Sequence, residues 1–400
     1  MPERNLDFDT YVERRNTDSL KYDFAVRRGM PADVLPLWVA DMDFPTSSYV
    51  IDAVIERTKH GIFGYTETGA DREHDDYFDA VAGWMKRHHD WEVKPNWLIK
   101  TPGVVFALAM AVQAFTNPGD AVLIQQPVYY PFSEVIEFND RILVSNDLVL
   151  GEDNRYHIDF EDFEKKIVEK KIKLFLLCNP HNPSSRVFTR EELLRLGDIC
   201  LAHDVLVVSD EIHNDFALYG EHTVFAKVKK EFADHCIICT SPSKTFNLAS
   251  MLISNIFIPN ETIRRLFRLQ VAAAGMSQLS ALGLVAAKTA YQKGEEWYGH
   301  MIEHVKKNIT FVKEYTEKNL PGVRVIDGEG TYLLWLDFRG TGLTSKEIDR
   351  RIIHEAKLWL DSGAIFGETG EGFQRINVAV PRCTLEECMN RIRDHVVEKA

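Results

Sequence analysis

The chain has 400 residues, 45% of them hydrophobic and 27% charged, with a formal net charge of −13. This is the makeup of a soluble globular protein long enough for two domains, and its negative balance argues against a nucleic-acid or anionic-membrane partner, since both reward clustered Lys and Arg. Met1 to Arg15 is rich in charge without an apolar core, so no signal peptide is expected, and no run approaches the roughly 18 apolar residues of a membrane helix.

The six cysteines, Cys178, Cys200, Cys236, Cys239, Cys383 and Cys388, are scattered through apolar segments. That pattern suggests reduced thiols in a cytoplasmic protein. Cys236 and Cys239 fall within one predicted strand, whose alternate residues point to opposite faces, so they read as core and not as a redox pair or half a zinc site. His88-His89 reads as a solvated pair on a charged helix, and no metal is expected.

In chain order, residues 1 to about 50 are irregular. Within them Leu35-Pro36-Leu37-Trp38-Val39-Ala40-Asp41-Met42-Asp43-Phe44-Pro45 ends in two acids and a proline, which fits a pocket-lining loop or a covering arm. A helical pattern spans Ser48 to Lys59, a glycine-bracketed turn from Gly61 to Thr66 presents Tyr65, and a helix follows around Asp75 to His88. Strands and helices then alternate, as in a parallel sheet covered on both faces. Trp97 to Thr101 is a strand, and Pro102-Gly103-Val104-Val105 opens a helix to about Thr116. One glycine at such a turn is a weak signal for an anion at the helix N-terminus. Ala121 to Gln125 leads into Pro127-Val128-Tyr129-Tyr130-Pro131-Phe132. Asp159 caps a helix to about Lys171. Lys173 to Cys178 exits into Asn179-Pro180-His181-Asn182-Pro183, where two Asn-Pro steps forbid helix and hold Asn182 at the strand end. Thr189-Arg190-Glu191-Glu192 is a capping box for a helix to His203.

Two strand ends carry the chemistry. Val205 to Ser209 is aliphatic and runs into Asp210-Glu211-Ile212-His213. A carboxylate at the end of a buried strand is costly unless it meets a cation or donors, and that edge of an open α/β sheet is where ligands bind. A protonated pyridinium nitrogen would satisfy Asp210; a turn cap beside an ordinary loop histidine, His213, is an equally good reading. Cys236 to Cys239 exits into Thr240-Ser241-Pro242-Ser243-Lys244-Thr245. A lysine there gains nothing from an apolar wall unless its lowered pKa is used, for instance to condense with the aldehyde of pyridoxal 5′-phosphate (PLP) while Ser241 and Ser243 face the phosphate. Taken alone, Ser-x-x-Lys reads more readily as a surface turn.

In one order, these motifs resemble the fold-type I PLP enzymes of the aminotransferase class I/II superfamily. The resemblance is closer to the C–S β-lyase (cystathionine β-lyase) branch that includes cystalysin. It is carried by the segments Trp38–Phe44, Gly61–Thr66, Pro127–Phe132, Cys178–Pro183, Ser209–His213, Pro242–Asn247 and Gly372–Asn377, and spans about residues 6 to 395. It implies that Lys244 anchors the cofactor and takes the Cα proton, with Tyr130 beside it among the catalytic groups. Asp210 pairs with the pyridine nitrogen, Asn182 with the 3′-oxygen near His213, and Tyr129 stacks on the ring. Gly103, Val104, Val105, Ser241 and Ser243 hold the phosphate, Tyr65 reaches it from a neighbouring subunit, and Arg375 takes the substrate carboxylate. The implied activity is β-elimination from L-cysteine S-conjugates such as cystathionine or cystine, giving pyruvate, ammonia and a thiol. A class I/II aminotransferase is the alternative, and a PLP-binding regulatory protein a third reading.

Four positions depart from the pattern: Ser185 and Ser250 replace glycine or alanine-glycine, Leu252 stands where many aminotransferases have arginine, and Val271 to Met276 is less polar. The expected architecture is α/β, a mainly parallel seven-stranded-type sheet with helices on both faces in a PLP domain of residues 50–295. A smaller α+β domain is built from 1–49 and 296–400, with helices near 295–320, 344–357 and 384–399 and strands at 323–326 and 332–338. A cytoplasmic homodimer is expected.

Overall fold

The computed structural model describes residues 2–67 and 75–398. Seven strands form the larger sheet. In spatial order they are Leu98–Thr101, Ser254–Phe257, Cys236–Thr240, Leu206–Asp210, Leu174–Cys178, Ala121–Ile124 and Ile142–Ser145. Ser254–Phe257 runs antiparallel to both neighbours, and the other pairings are parallel. Leu174–Cys178 and Cys236–Thr240 are buried at every position, the continuous apolar run of a strand covered on both faces. Cys236 packs in the cluster on one face of the sheet and Cys239 in the cluster on the other, as period-two alternation requires.

Local chemistry sets the helix starts. The Asp159 carboxylate accepts from the amides of Glu161 and Asp162, and Thr189 with Glu192 closes the reciprocal capping box at Arg190–Ala202. Ser47 caps Ser48–Lys59. Val104–Phe115 follows Gly103 directly and packs on the sheet.

The sequence reading missed the strand Ser254–Phe257. Its serine and asparagine break the apolar run, yet both are buried. Asn255 accepts from the Tyr77 hydroxyl at 2.7 Å and donates to the Tyr291 oxygen at 3.2 Å, which compensates its desolvation.

Beyond the long helix Glu295–Asn319, a second, four-stranded antiparallel sheet is ordered Arg324–Val325, Leu333–Asp337, Phe373–Asn377, Asp361–Ser362. Leu35–Pro36 pairs parallel with Leu358–Trp359, so the N-terminal arm is stitched to the C-terminal segment. The two closing helices are shorter than expected: Ser345–Arg350 and Arg382–Ile392 each continue as a π-helical turn. Among the described residues, no helix is long and apolar enough to cross a membrane.

His88-His89 is a correction. His89 is buried, with Nε2 2.8 Å from Asp215, and His88 stacks on Trp84 at 3.8 Å between ring centroids. Both histidines lie on the helix face turned towards the protein, so the charge of their neighbours was a poor guide to their exposure.

Candidate active site

Five strands that run in the same direction end at one edge of the larger sheet, and their exits converge. A cavity of about 200 Å³ there is lined by Gly103, Val104 and Val105 from the first helix turn, Tyr129, Asn182, Asp210, His213, Ser241, Ser243 and Lys244. These are the residues the motifs single out, drawn from five separate chain segments. Three expected members are not among its lining residues. Arg375 lies alongside, donating from Nη1 to Asn182 Oδ1 at 3.0 Å. Tyr65 is 98% exposed and is not brought to the cavity. Tyr130 borders a second cavity, with its ring 5.1 Å from Tyr129.

The electrostatics follow from burial. Desolvation raises the Asp210 carboxyl to about 7 despite a 3.0 Å hydrogen bond from the Ile212 amide and the attraction of Lys244. Burial lowers the Lys244 ammonium to about 8, against the pull of Asp41 and Asp210, and Arg375 lowers it further. His213 is held well below its ordinary value by burial and by the nearby Lys244 and Arg375 charges. Among the described residues, its Nδ1 has no hydrogen-bond partner, and neither has Arg375 Nε. Buried polar groups left open in this way mark a place prepared for something else.

Ala40 of the Trp38–Phe44 segment also lines the cavity, and three residues that sequence reasoning left without a role hold that segment. Asn247 donates to the Met42 and Phe44 carbonyls and accepts from the Met42 amide. Asn377 donates to Val39 and Asp41. The Tyr332 hydroxyl donates to the Ala40 carbonyl at 2.8 Å, which also receives Lys244 Nζ at 3.1 Å. Asn247 and Asn377 lie inside the Pro242–Asn247 and Gly372–Asn377 motifs, so their position was a usable signal. Asp361 was not legible at all. It stands directly across the strand pair from Arg375 and forms a buried ion pair with it, while Arg375 Nη2 also donates to the Trp38 carbonyl at 2.7 Å.

A family model described as aminotransferase class I and II matches residues 32–392. The chain belongs to this family. Cystathionine beta-lyase PatB from Bacillus subtilis is 43% identical over 97% of this chain and 99% of its own. Among solved structures, cystalysin from Treponema denticola, which contains a pyridoxal 5′-phosphate cofactor, superposes with a TM-score of 0.93 at 38% identity, covering 98% of this chain and 99% of that one. The PLP-bound C–S lyase from Staphylococcus hominis gives 0.88 at 32% identity, covering 97% of each chain.

Three of the four departures from the family's pattern, Ser185, Ser250 and Leu252, can be placed in the structure. Ser185 has a left-handed backbone (φ 59°), where glycine is the unstrained choice. Its hydroxyl donates to the Leu333 carbonyl at 2.7 Å and so ties the Asn182 loop to the smaller sheet. Ser250 is exposed and lies outside the cavity, whereas Leu252 lines it. Ser241 is partly committed elsewhere: its hydroxyl donates to the Ile253 carbonyl at 2.7 Å and accepts from the Ser243 amide. With a single proton already given away, it caps the short Pro242–Thr245 helix in this arrangement and leaves Ser243 as the more available hydroxyl.

Proposed function

We propose that the protein is a PLP-dependent C–S lyase that cleaves L-cysteine S-conjugates to pyruvate, ammonia and a thiol. The observation that carries this is the facing pair at the sheet edge: a lysine of lowered pKa opposite a buried carboxylate of raised pKa, in a chain 43% identical to a cystathionine β-lyase.

The residues present fit PLP. A cationic ring nitrogen beside Asp210 would offset the desolvation that now favours its neutral form, and the carboxylate would in turn hold that nitrogen's proton. Asn182 and His213 stand where a phenolic oxygen would find polar neighbours, and Tyr129 offers a ring face. The first amides of Val104–Phe115 and the Ser243 hydroxyl form an anion-binding end at a helix N-terminus. When bound, PLP supplies an electron sink for the pair left at the substrate Cα after that carbon loses its proton.

The chain's own groups do the rest. Lys244 Nζ would anchor the cofactor, and its amine, of suitable basicity, would receive the Cα proton. Arg375 anchors the α-carboxylate through its planar fork, which fixes which Cα bond faces Lys244. The Tyr332 hydroxyl holds the Ala40 carbonyl in place at the cavity. To Tyr130, which borders the neighbouring cavity and feels the Arg375 charge, the reading assigns the proton for the departing sulfur. Leu252 adds an apolar lining at the Ser243 end of the cavity, in keeping with the lyase branch.

The same reading takes the larger sheet, residues 50–295, as the PLP domain and 1–49 with 296–400 as a smaller domain. It makes the protein a cytoplasmic homodimer, for which its free, mostly buried cysteines and exposed Tyr65 are the support. The deciding assay is purified holoenzyme with L-cystathionine and no keto acid. Pyruvate and free thiol in equal amounts are the expected products; turnover that requires a 2-oxo acid would make it an aminotransferase.

A further inference from the structure

A second cavity, about 590 Å³, opens between the short helix Pro131–Glu137 and the segments around Asp349 and Trp359. It abuts the candidate active site through three residues. Trp38 gives its carbonyl to Arg375, Asp361 pairs with Arg375, and Tyr130 sits against Tyr129. A substrate held at Arg375 by its α-carboxylate therefore has this space next to it.

The lining is charged in both senses across an aromatic wall. Trp38 and Trp359 stack at 4.3 Å with 12° between their planes. Arg28 lies over Trp38 at 5.3 Å, and its guanidinium has no hydrogen-bond or ion-pair partner among the described residues. Glu134 on the facing helix likewise has no side-chain partner among them, and Asp349 borders the same space. An unpartnered acid and an unpartnered base around one cavity are the complement of a zwitterion.

We infer that this cavity is the subsite for the part of the substrate beyond sulfur, and that it selects S-conjugates whose sulfur substituent carries its own α-amino acid group. Glu134 takes the distal ammonium, Arg28 the distal carboxylate, and the Trp38–Trp359 stack the connecting methylenes. This rests on the C–S lyase reading and narrows its substrate class.

The test compares holoenzyme kinetics on L-cystathionine and on S-ethyl-L-cysteine, which share the reacting half and differ only beyond sulfur. Glu134→Gln and Arg28→Gln are each expected to raise KM for cystathionine about tenfold, the loss of one charge-assisted contact, with kcat/KM for S-ethyl-L-cysteine within about twofold of wild type. Equal effects on both substrates, or none on either, would overturn the subsite, as would a wild-type preference for S-benzyl-L-cysteine over cystathionine. If neither substrate releases pyruvate, the lyase reading itself fails. The subsite is then decided by calorimetry on PLP-loaded Lys244→Ala protein, where L-cystathionine should bind about tenfold more weakly after Glu134→Gln, and unchanged affinity would reject it.

Discussion

Burial brings the Lys244 ammonium down to about 8 although Asp41 and Asp210 both favour its charge. Only the neutral amine attacks a carbonyl. The rate at which apoprotein takes up PLP, followed by absorbance, is therefore expected to rise about tenfold per pH unit below 8 and to level off above it. Lys244→Ala should hold PLP without a bond that borohydride can fix, and should lose about a thousandfold in turnover. Asp361 poses the converse problem. Burial lifts its carboxyl to about 6, even with Arg375 pulling it down. A substrate carboxylate arriving at Arg375 meets an already neutralised pair, so its binding favours protonated Asp361. Below pH 6 that proton is in place beforehand; above 6 it must be taken up on binding. KM should accordingly climb as pH rises past about 6, and Asp361→Asn should flatten the profile and lower KM at pH 8 by about tenfold. A profile unchanged by that substitution would remove Asp361 from substrate binding. No inspection of the sequence singles out Asp361, because its meaning comes from strand register. It is opposite Arg375 only once Asp361–Ser362 has paired with Phe373–Asn377.

At the scale of elements, Asp215 joins the helix Asp76–His89 to the turn that carries Lys244. Its carboxylate accepts from Trp84 Nε1 at 3.0 Å, His89 Nε2 at 2.8 Å and Thr245 Oγ1 at 2.5 Å, and hydrogen bonding to His89 is the main influence opposing the desolvation that would raise its pKa. Asp215→Ala leaves three buried donors without an acceptor. Urea unfolding should register a loss of about 3–5 kcal/mol, and PLP should dissociate faster because Thr245 is adjacent to the anchoring lysine. Apolar runs made the parallel strands readable, and caps such as Asp159 and Thr189 gave helix starts to within a residue. Where the readable signal was local, the elements came out correctly. Where a residue's partner lay far along the chain, as for His89 with Asp215 or Asn255 with Tyr77, local polarity pointed the wrong way or nowhere.

For the whole molecule, the order of motifs was enough to anticipate that their residues gather at the carboxyl edge of a mostly parallel sheet, because each strand exit delivers its residues to that edge whatever the lateral strand order. The order itself, with Ser254–Phe257 inserted antiparallel, was not anticipated, since strand order depends on packing between distant segments. Tyr65 raises the remaining question. It is 98% exposed, next to Ile62 and Phe63, which are 65% and 62% exposed, so the loop presents apolar surface outward and away from its own cavity. A two-fold dimer in which each Tyr65 completes the other subunit's phosphate site would cover that surface. Light scattering should then report about twice the 45.9 kDa chain mass. Subunits carrying Tyr65→Ala and subunits carrying Lys244→Ala, each poorly active alone, give a sharper check when combined. In the mixed dimer one site has both Lys244 and a Tyr65 supplied across the interface, so about half the wild-type activity per dimer should return. If Tyr65 served its own subunit, no site in the mixed dimer would be whole, and activity would stay at the mean of the two parents.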